Sequence, residues 1–266
     1  MTGLLETPIR LWITGATSGI GYAVARDLLA QGHELIVTGR REEPLNELAA
    51  IAPGRVTIAP GDTTAPADLE RVRASFDGPK PLQMAILNAG TCEYLDVADF
   101  RSSVIEANIT TNVIGTSRSV EAVLPSLRAA RAQGLPAQLV IVSSSAWWFP
   151  FGRAEGYGAS KAALTYFAHA LRADLAAEGI GVTVVSPGFV KTPLTDRNDF
   201  PMPFLISVDD AARRIVRGLQ RGQSEIQFPK RFTWMLKALS ALPQVVIDRM
   251  AASMARSQSK DQEPHP

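Results

Sequence analysis

The sequence predicts an α/β chain built on a doubly wound parallel sheet. Three observations predict it. Short β-branched runs alternate with longer segments of helical periodicity, the runs are apolar almost throughout, and a glycine-rich turn joins the first run to the first helical segment. A strand with one wet face alternates apolar and polar residues, whereas a strand apolar at every position is buried on both faces between helix layers. Right-handed crossovers then wind helices onto both sides of the sheet.

Ile9–Thr14 reads as the first strand. Gly19–Gln31 follows as a helix, with Ile20, Ala23, Val24 and Leu28 on one face and Gly32 as its stop. Glu34–Thr38 is a second strand, and Glu42–Ile51 a helix that tolerates Pro44 in its first turn. Arg55–Ala59 is a third strand, followed by a helix from Pro66 to Phe76. Leu82–Leu87 is the fourth strand, and one long helix is expected over Phe100–Ala130. Ala137–Ser143 is the fifth strand, Tyr157–Glu178 a long helix ended by Gly179, and Gly181–Ser186 the sixth strand. Asp209–Arg221 is helical and Glu225–Phe228 is a short last strand. A single domain is expected over 1–257, with an amphipathic extension from 229 and a polar, proline-containing frayed tail over 258–266.

Composition narrows the function classes. The 266 residues hold 27 Lys plus Arg against 26 Asp plus Glu, for a formal net charge of +1. That balance gives no general attraction to nucleic acid, and ordinary apolar content excludes intrinsic disorder. One cysteine, Cys92, excludes an internal disulfide and a multi-cysteine zinc site, and fits a reducing, cytoplasmic location. His33, His169 and His265 lack ligand spacing, so no metal is expected. Met1–Pro8 shows no signal-peptide pattern, and no uncharged apolar stretch of eighteen residues predicts a membrane span.

The turn Thr14-Gly15-Ala16-Thr17-Ser18-Gly19-Ile20-Gly21 lies between the first strand and first helix. Glycines let backbone approach a pyrophosphate without a Cβ clash, and the helix amino terminus offers unpaired N–H groups to it. No Gly-Lys-Ser/Thr follows, so this is a dinucleotide turn rather than a Walker loop. The second strand runs into Gly39-Arg40-Arg41, where a chain that prefers NAD usually carries a carboxylate for the ribose 2′-hydroxyl. A guanidinium pairs with a 2′-phosphate, so Arg40 and Arg41 predict NADPH over NADH.

Tyr157-Gly158-Ala159-Ser160-Lys161 places a phenol and an ammonium at i and i+4 on one helical face. An ammonium near a phenol is expected to lower the phenol pKa and make it a usable general acid or base. With these surroundings the sequence resembles the short-chain dehydrogenase/reductase family, from about Arg10 to Thr192. The glycine motif Thr14–Gly21 matches the family's, with Gly15, Thr17, Ser18, Gly19, Ile20 and Gly21 toward the cofactor. Asp62-Thr63 resembles its adenine-contacting segment, and Asn88-Ala89-Gly90 its motif at the end of the fourth strand. Asn112, thirteen residues before Pro125, is similar to its active-site asparagine, with Asn108 as a rival. Ser144, thirteen residues before Tyr157, has the spacing of its catalytic serine, chosen over its neighbours Ser143 and Ser145 by that count. Pro187, Gly188, Val190 and Thr192 resemble the segment that holds the nicotinamide carboxamide.

The resemblance implies a Rossmann-type sheet and an NADP(H)-dependent oxidoreductase. Hydride would pass between nicotinamide and a carbonyl or secondary alcohol. It implies that Tyr157 moves the proton, Ser144 hydrogen-bonds the reacting oxygen, Lys161 tunes Tyr157 and holds the ribose, and Asn112 supports a water link. A small-molecule substrate and a homo-oligomer formed through long helices are implied likewise. The competing expectation is a non-catalytic dinucleotide-binding sensor or scaffold, which has no need of the Ser144, Tyr157 and Lys161 set. Trp147-Trp148-Phe149-Pro150-Phe151 and Pro201-Met202-Pro203-Phe204-Leu205 read either as apolar substrate walls or as packing. From Arg213 to Lys237 there are seven basic residues and one acidic, Glu225. Within that stretch and just beyond it, Phe232, Met235, Leu236 and Leu239 have amphipathic-helix spacing. Such a helix lies on a membrane surface, on its own domain or against a partner subunit.

Overall fold

The computed structural model describes residues 5–78 and 80–260, with side chains as far as 252. Seven strands form one sheet: β1 (Arg10–Thr14), β2 (Glu34–Thr38), β3 (Val56–Ile58), β4 (Leu82–Leu87), β5 (Ala137–Val142), β6 (Ile180–Pro187) and β7 (Glu225–Phe228). Their order is β3-β2-β1-β4-β5-β6-β7, and every neighbouring pair is parallel. The helices between them are α1 (Gly19–Ala30), α2 (Glu42–Ile51), α3 (Pro66–Ala74), α4 (Ser102–Ile109), α5 (Gly115–Ala132), α6 (Glu155–Leu175) and α7 (Val208–Gln220). After β7 come α8 (Lys230–Ser240) and α9 (Gln244–Lys260). Of the tail expected over 258–266, residues 258–260 end α9 and 261–266 lie outside the described residues.

The unbroken apolar character of the strands has a direct cause. Successive side chains point to opposite faces, and each face carries its own core. Leu11, Ile13, Met84, Ile86, Val140 and Val142 pack with Val24 and Leu28 of α1, Leu45 of α2 and Ile215 of α7. Trp12, Ala85, Leu87, Leu139 and Ile141 pack with Val72 of α3, Val123 and Leu127 of α5 and Leu164 of α6. Trp12 is fully buried, and its indole N–H donates to Thr38 Oγ1 at 2.9 Å on the neighbouring strand. That bond satisfies two polar groups that burial would otherwise leave costly.

The long helix expected over Phe100–Ala130 is interrupted. A widened π turn over Thr110–Ile114 separates α4 from α5, and Phe100 and Arg101 lie ahead of α4 with extended backbone. Thr110 and Thr111 are β-branched and resist a tight helical turn, while Asn112 within it spends its amide on a neighbouring loop. The apolar face expected of the carboxyl-terminal helix also needs correcting. Phe232 and Leu236 are buried and Leu239 is partly so, whereas Met235 turns outward beside Trp234. The inner face is narrower than the spacing suggested because Thr233, fully buried, occupies part of it and bonds back to Pro229 and Lys230 carbonyls.

Candidate active site

The chain reverses its direction of winding between β1 and β4, and open α/β sheets bind ligands in the crevice at the carboxyl ends there. Thr14 ends β1 and organises this crevice. Its hydroxyl oxygen accepts the backbone N–H of Asn88 at 3.0 Å and of Ala89 at 3.1 Å. Asn88 replies through its side-chain amide, donating to the carbonyls of Thr14 and Gly15, each at 3.2 Å. Two loops distant in sequence are thereby fastened side by side.

The glycine loop closes on this clamp. Gly15 (φ +67°) and Gly19 (φ +54°) adopt left-handed backbone. A Cβ at Gly21 would stand 2.3 Å from the Gly15 carbonyl oxygen and 2.4 Å from Asn88 Nδ2, so no side chain fits there. Ser18, at the N-cap of α1, makes no side-chain bond to the first turn, and that turn carries no acidic residue. The positive end of α1 is therefore left available to an anion. Thr192, beyond β6, reaches across to this loop: its Cγ2 is 3.2 Å from where a Gly19 Cβ would lie. Pro187 ends β6, Gly188 donates its N–H to the Phe228 carbonyl at 2.7 Å, and Val190 is buried and bridges Ile206. Ile20 packs on the core below.

At the far side of the loop, a Cβ on Gly39 would fall 2.3 Å from Thr17 Cγ2. Arg41 turns inward and donates to the Thr17 carbonyl at 2.9 Å. Arg40 stays 82% exposed, 4.0 Å from an Asp62 carboxylate oxygen. The other oxygen of Asp62 accepts the N–H and hydroxyl of Thr64, both at 2.8 Å. Thr63 is buried against α5, where a Cβ on Gly115 would come 2.9 Å from its hydroxyl.

The three adjacent serines separate by their partners. Ser143 Oγ bonds the Lys161 carbonyl at 3.0 Å and Thr165 Oγ1 at 2.7 Å, so it fastens β5 to α6. Ser145 is buried. Ser144 Oγ accepts the Ala146 N–H at 3.2 Å and hydrogen-bonds the Tyr157 phenol. Lys161 is buried, donates to the Val142 carbonyl at 3.0 Å and stands 5.8 Å from the centre of the Tyr157 ring. Burial pushes the Lys161 ammonium down to about 8.

Burial also raises the Tyr157 phenol, and the Ser144 hydrogen bond opposes that rise. The net shift of the phenol is therefore upward, where the spacing to Lys161 alone led to a downward one. The Lys161 ammonium is held by the end of β5, and desolvation outweighs everything else acting on the phenol.

The two rival asparagines serve neighbouring points of one loop. Both are fully buried. Asn108 accepts the Glu93 N–H at 3.2 Å and donates to the Glu93 carbonyl at 2.9 Å. Asn112 does the same for Thr91, at 2.8 and 3.0 Å. Asn112 Nδ2 also donates to Ser160 Oγ at 2.8 Å, and that hydroxyl donates to the Tyr157 carbonyl at 2.7 Å. A Cβ on Gly90 would lie 2.9 Å from Asn112 Oδ1 and 3.5 Å from Lys161 Nζ. Asn112, not Asn108, therefore borders Lys161.

Sequence reasoning missed Ser160 and the side chain of Thr14, though both sit inside motifs it singled out. It also missed Tyr94. The Tyr94 hydroxyl donates to Asn198 Oδ1 at 2.7 Å, and its ring meets Phe200 edge-on at 5.8 Å. Arg153 pairs with Asp199 at 2.8 Å and lies over the same ring at 5.6 Å. These contacts tie the loop after β6 to the loop after β4. Cys92 is buried alongside, and burial pushes its thiol up to about 11, so it is a neutral wall and not a nucleophile. Of the two aromatic segments, Phe149 is core, packed with Phe232, Leu236 and Ile247, while Trp148 and Phe151 are partly buried on the same cluster.

Comparison with known proteins agrees with this geometry. Residues 10–200 match the sequence profile of the short chain dehydrogenase family. The chain is 36% identical over 244 residues to an uncharacterized oxidoreductase of Myxococcus xanthus, covering 90% of this chain and 94% of that one. It is 35% identical over 195 residues to sulfoacetaldehyde reductase 2 of Chromohalobacter salexigens, covering 69% and 73%. A short chain dehydrogenase of Burkholderia cenocepacia in complex with NADP superposes with a TM-score of 0.78 at 24% identity, covering 91% and 97%. The chain belongs to the short-chain dehydrogenase family of oxidoreductases.

Proposed function

We propose that this protein is an NADP(H)-dependent oxidoreductase that transfers hydride between nicotinamide and a carbonyl or secondary alcohol of apolar character. One observation carries the reading: Tyr157, Ser144 and Lys161 converge where the sheet ends, beside a helix amino terminus padded with glycines that no side chain could replace. The cradle fits a dinucleotide, since the Gly15–Gly21 loop presents bare backbone and uncapped N–H groups to a pyrophosphate. When bound, the nicotinamide supplies the hydride.

The remaining chemistry falls to the chain. Tyr157 carries its proton at neutral pH, as an ordinary phenol does, and burial holds that proton more firmly still, so it is set to protonate a carbonyl oxygen once charge develops there. Ser144 donates to that oxygen and stabilises the charge developing on it. Lys161 supplies the neighbouring positive charge and holds the nicotinamide ribose. Asn112 and Ser160 fix the backbone of Tyr157 from behind. In the oxidative direction each proton moves the other way.

Lys161 gives a pH test. Its charge is present below about 8 and lost above it. For reduction, kcat/KM for NADPH, which reports on the free enzyme, is expected to be flat through neutral pH and to fall as pH rises through about 8. A profile flat to pH 10 would remove Lys161 from the mechanism.

The cofactor preference rests on Gly39 and the two arginines. Thr17 Cγ2 occupies the space a side chain at Gly39 would need, and no carboxylate stands at the position that selects NAD. Arg40 projects into solvent at the mouth of the site, held by a 4.0 Å ion pair with Asp62, and its guanidinium can meet a 2′-phosphate bidentately. Arg40→Asp should lower the NADPH-to-NADH ratio of kcat/KM by more than about tenfold, since one charge-assisted pair is replaced by repulsion. Steady-state rates with both cofactors measure it, and an unchanged ratio would refute the preference. The aromatic segment Trp147–Phe151, which closely follows Ser144 and leaves Trp148 and Phe151 only partly buried, favours an apolar substrate.

A further inference from the structure

The carboxyl-terminal pair of helices has two unlike faces. The inner face is spent: Phe232 and Leu236 of α8 and Ile247 of α9 are buried with Phe149, and the Phe232 ring lies 5.4 Å from that of Phe189. The outer face is apolar without being buried. Trp234 is 67% exposed and Val245 61%, and Met235, Leu242 and Val246 are exposed with them. Trp234 and Met235 lie on α8, Leu242 in the turn that follows it, and Val245 and Val246 in the first turn of α9, so the exposed apolar residues gather around the α8–α9 junction. Apolar side chains grouped this way in a monomer mark a contact surface.

Charge identifies what the surface contacts. Residues 230–260 hold six basic residues and a single acidic one, Asp248, although the whole chain is nearly neutral. Lys230 and Arg231 are exposed at the start of α8, and Arg249 is exposed one turn into α9. Asp248 is occupied by a hydrogen bond from Gln244 at 2.7 Å. Lys237 bends over the Trp148 ring at 4.9 Å and leaves the outer tip to Trp234 and the aliphatic residues. A two-fold contact through this face would bring one cationic patch up against another with a single acidic residue, Asp248, on each to offset it. A tryptophan and aliphatic side chains framed by cations complement the interfacial zone of a bilayer with anionic headgroups.

We propose that the outer face of α8 and the α8–α9 turn dock on an anionic lipid surface, with Trp234, Leu242, Val245 and Val246 entering the headgroup layer and Lys230, Arg231 and Arg249 meeting its negative charge. No helix among the described residues is long and apolar enough to cross a membrane, so the contact is peripheral. It involves none of the residues assigned to the oxidoreductase chemistry, and it is measured without cofactor or substrate.

The test is flotation of the full-length protein with phosphatidylcholine vesicles, with and without about one-third phosphatidylglycerol. The protein is expected to float with the anionic vesicles, to stay behind with the neutral ones, and to be released at about 0.5 M salt, where charges are screened. Tryptophan emission should shift to the blue on binding, and the shift should be lost in Trp234→Ala, because Trp12 is fully buried and Trp147 and Trp148 are already partly so. The pairs Trp234→Ala/Val245→Ser and Lys230→Glu/Arg231→Glu should each cut the floating fraction at least about fivefold, with thermal unfolding and NADPH-dependent rates unchanged. Absence of flotation with anionic vesicles would overturn the proposal, as would flotation indifferent to both pairs. So would light scattering showing that Trp234→Ala/Val245→Ser breaks an oligomer, because a second copy would then cover this face.

Discussion

Tyr157→Phe is expected to lower turnover by about a thousandfold, within the range that a positioned general acid contributes. The variant keeps the aromatic ring and with it the packing of α6. It removes one hydroxyl, whose partner is Ser144. Lys161 remains bonded to the Val142 carbonyl, and the Asn112–Ser160 chain still grips the backbone at 157, because it acts through the carbonyl and not the phenol. Cofactor affinity and thermal stability should therefore stay near their original values while kcat collapses. Initial rates at saturating NADPH, paired with a fluorescence titration of the cofactor, separate these quantities. Retention of more than about a tenth of the original kcat would be incompatible with Tyr157 as the proton donor.

Gly21→Ala is the second large effect, and it works by volume alone. The added methyl carbon would lie 2.3 Å from the Gly15 carbonyl oxygen and 2.4 Å from Asn88 Nδ2. Neither neighbour can yield cheaply. Gly15 is held in left-handed backbone, and Asn88 is bonded to two carbonyls while its own N–H is held by Thr14. Overpacking of this kind costs about 1–3 kcal/mol, and relief requires the loop to open. A loop so displaced no longer offers its N–H groups in a converging set. Cofactor affinity should fall by about a hundredfold or more, beyond the loss of stability, because a misplaced cradle loses several hydrogen bonds together. Equilibrium binding of NADPH and thermal unfolding report the two effects independently; unchanged affinity would mean that the pyrophosphate lies elsewhere.

The sheet was legible because burial on both faces writes itself into composition: nothing polar interrupts Leu11 to Ile13 or Leu139 to Val142. The glycine loop was legible because steric exclusion leaves one residue type possible. The partners of the site were less so. Lys161 lies one helical turn from Tyr157, and spacing suggested mutual contact. Which way its ammonium points depends on the Val142 carbonyl, nineteen residues upstream. Tyr94 and Asn198 are 104 residues apart and carry no pattern to join them. Asn112 was ranked over Asn108 by its spacing to Pro125 alone; both prove to be buried amides clamping the same loop, and it is the position of Asn112 beside Gly90 and Lys161 that separates their roles. Helix α9 escaped notice because its alanines and serines dilute any apolar stripe, and its docking depends on Ile247 meeting the α8 cluster.

The widened turn at Thr110–Ile114 acts as a phase shifter. One extra residue in a helix advances everything beyond it by about 100°. Ahead of the shift, Asn108 addresses the loop after β4; past it, Val120, Val123 and Leu127 address the sheet. A regular helix drawn through the same residues would bring one set into register only by rotating the other away. Deleting a single residue at 110–114 would therefore yield better helical hydrogen bonding and a misaimed rod. In this segment the ideal of the local element and the needs of the site are in opposition, and the chain has settled in favour of the site.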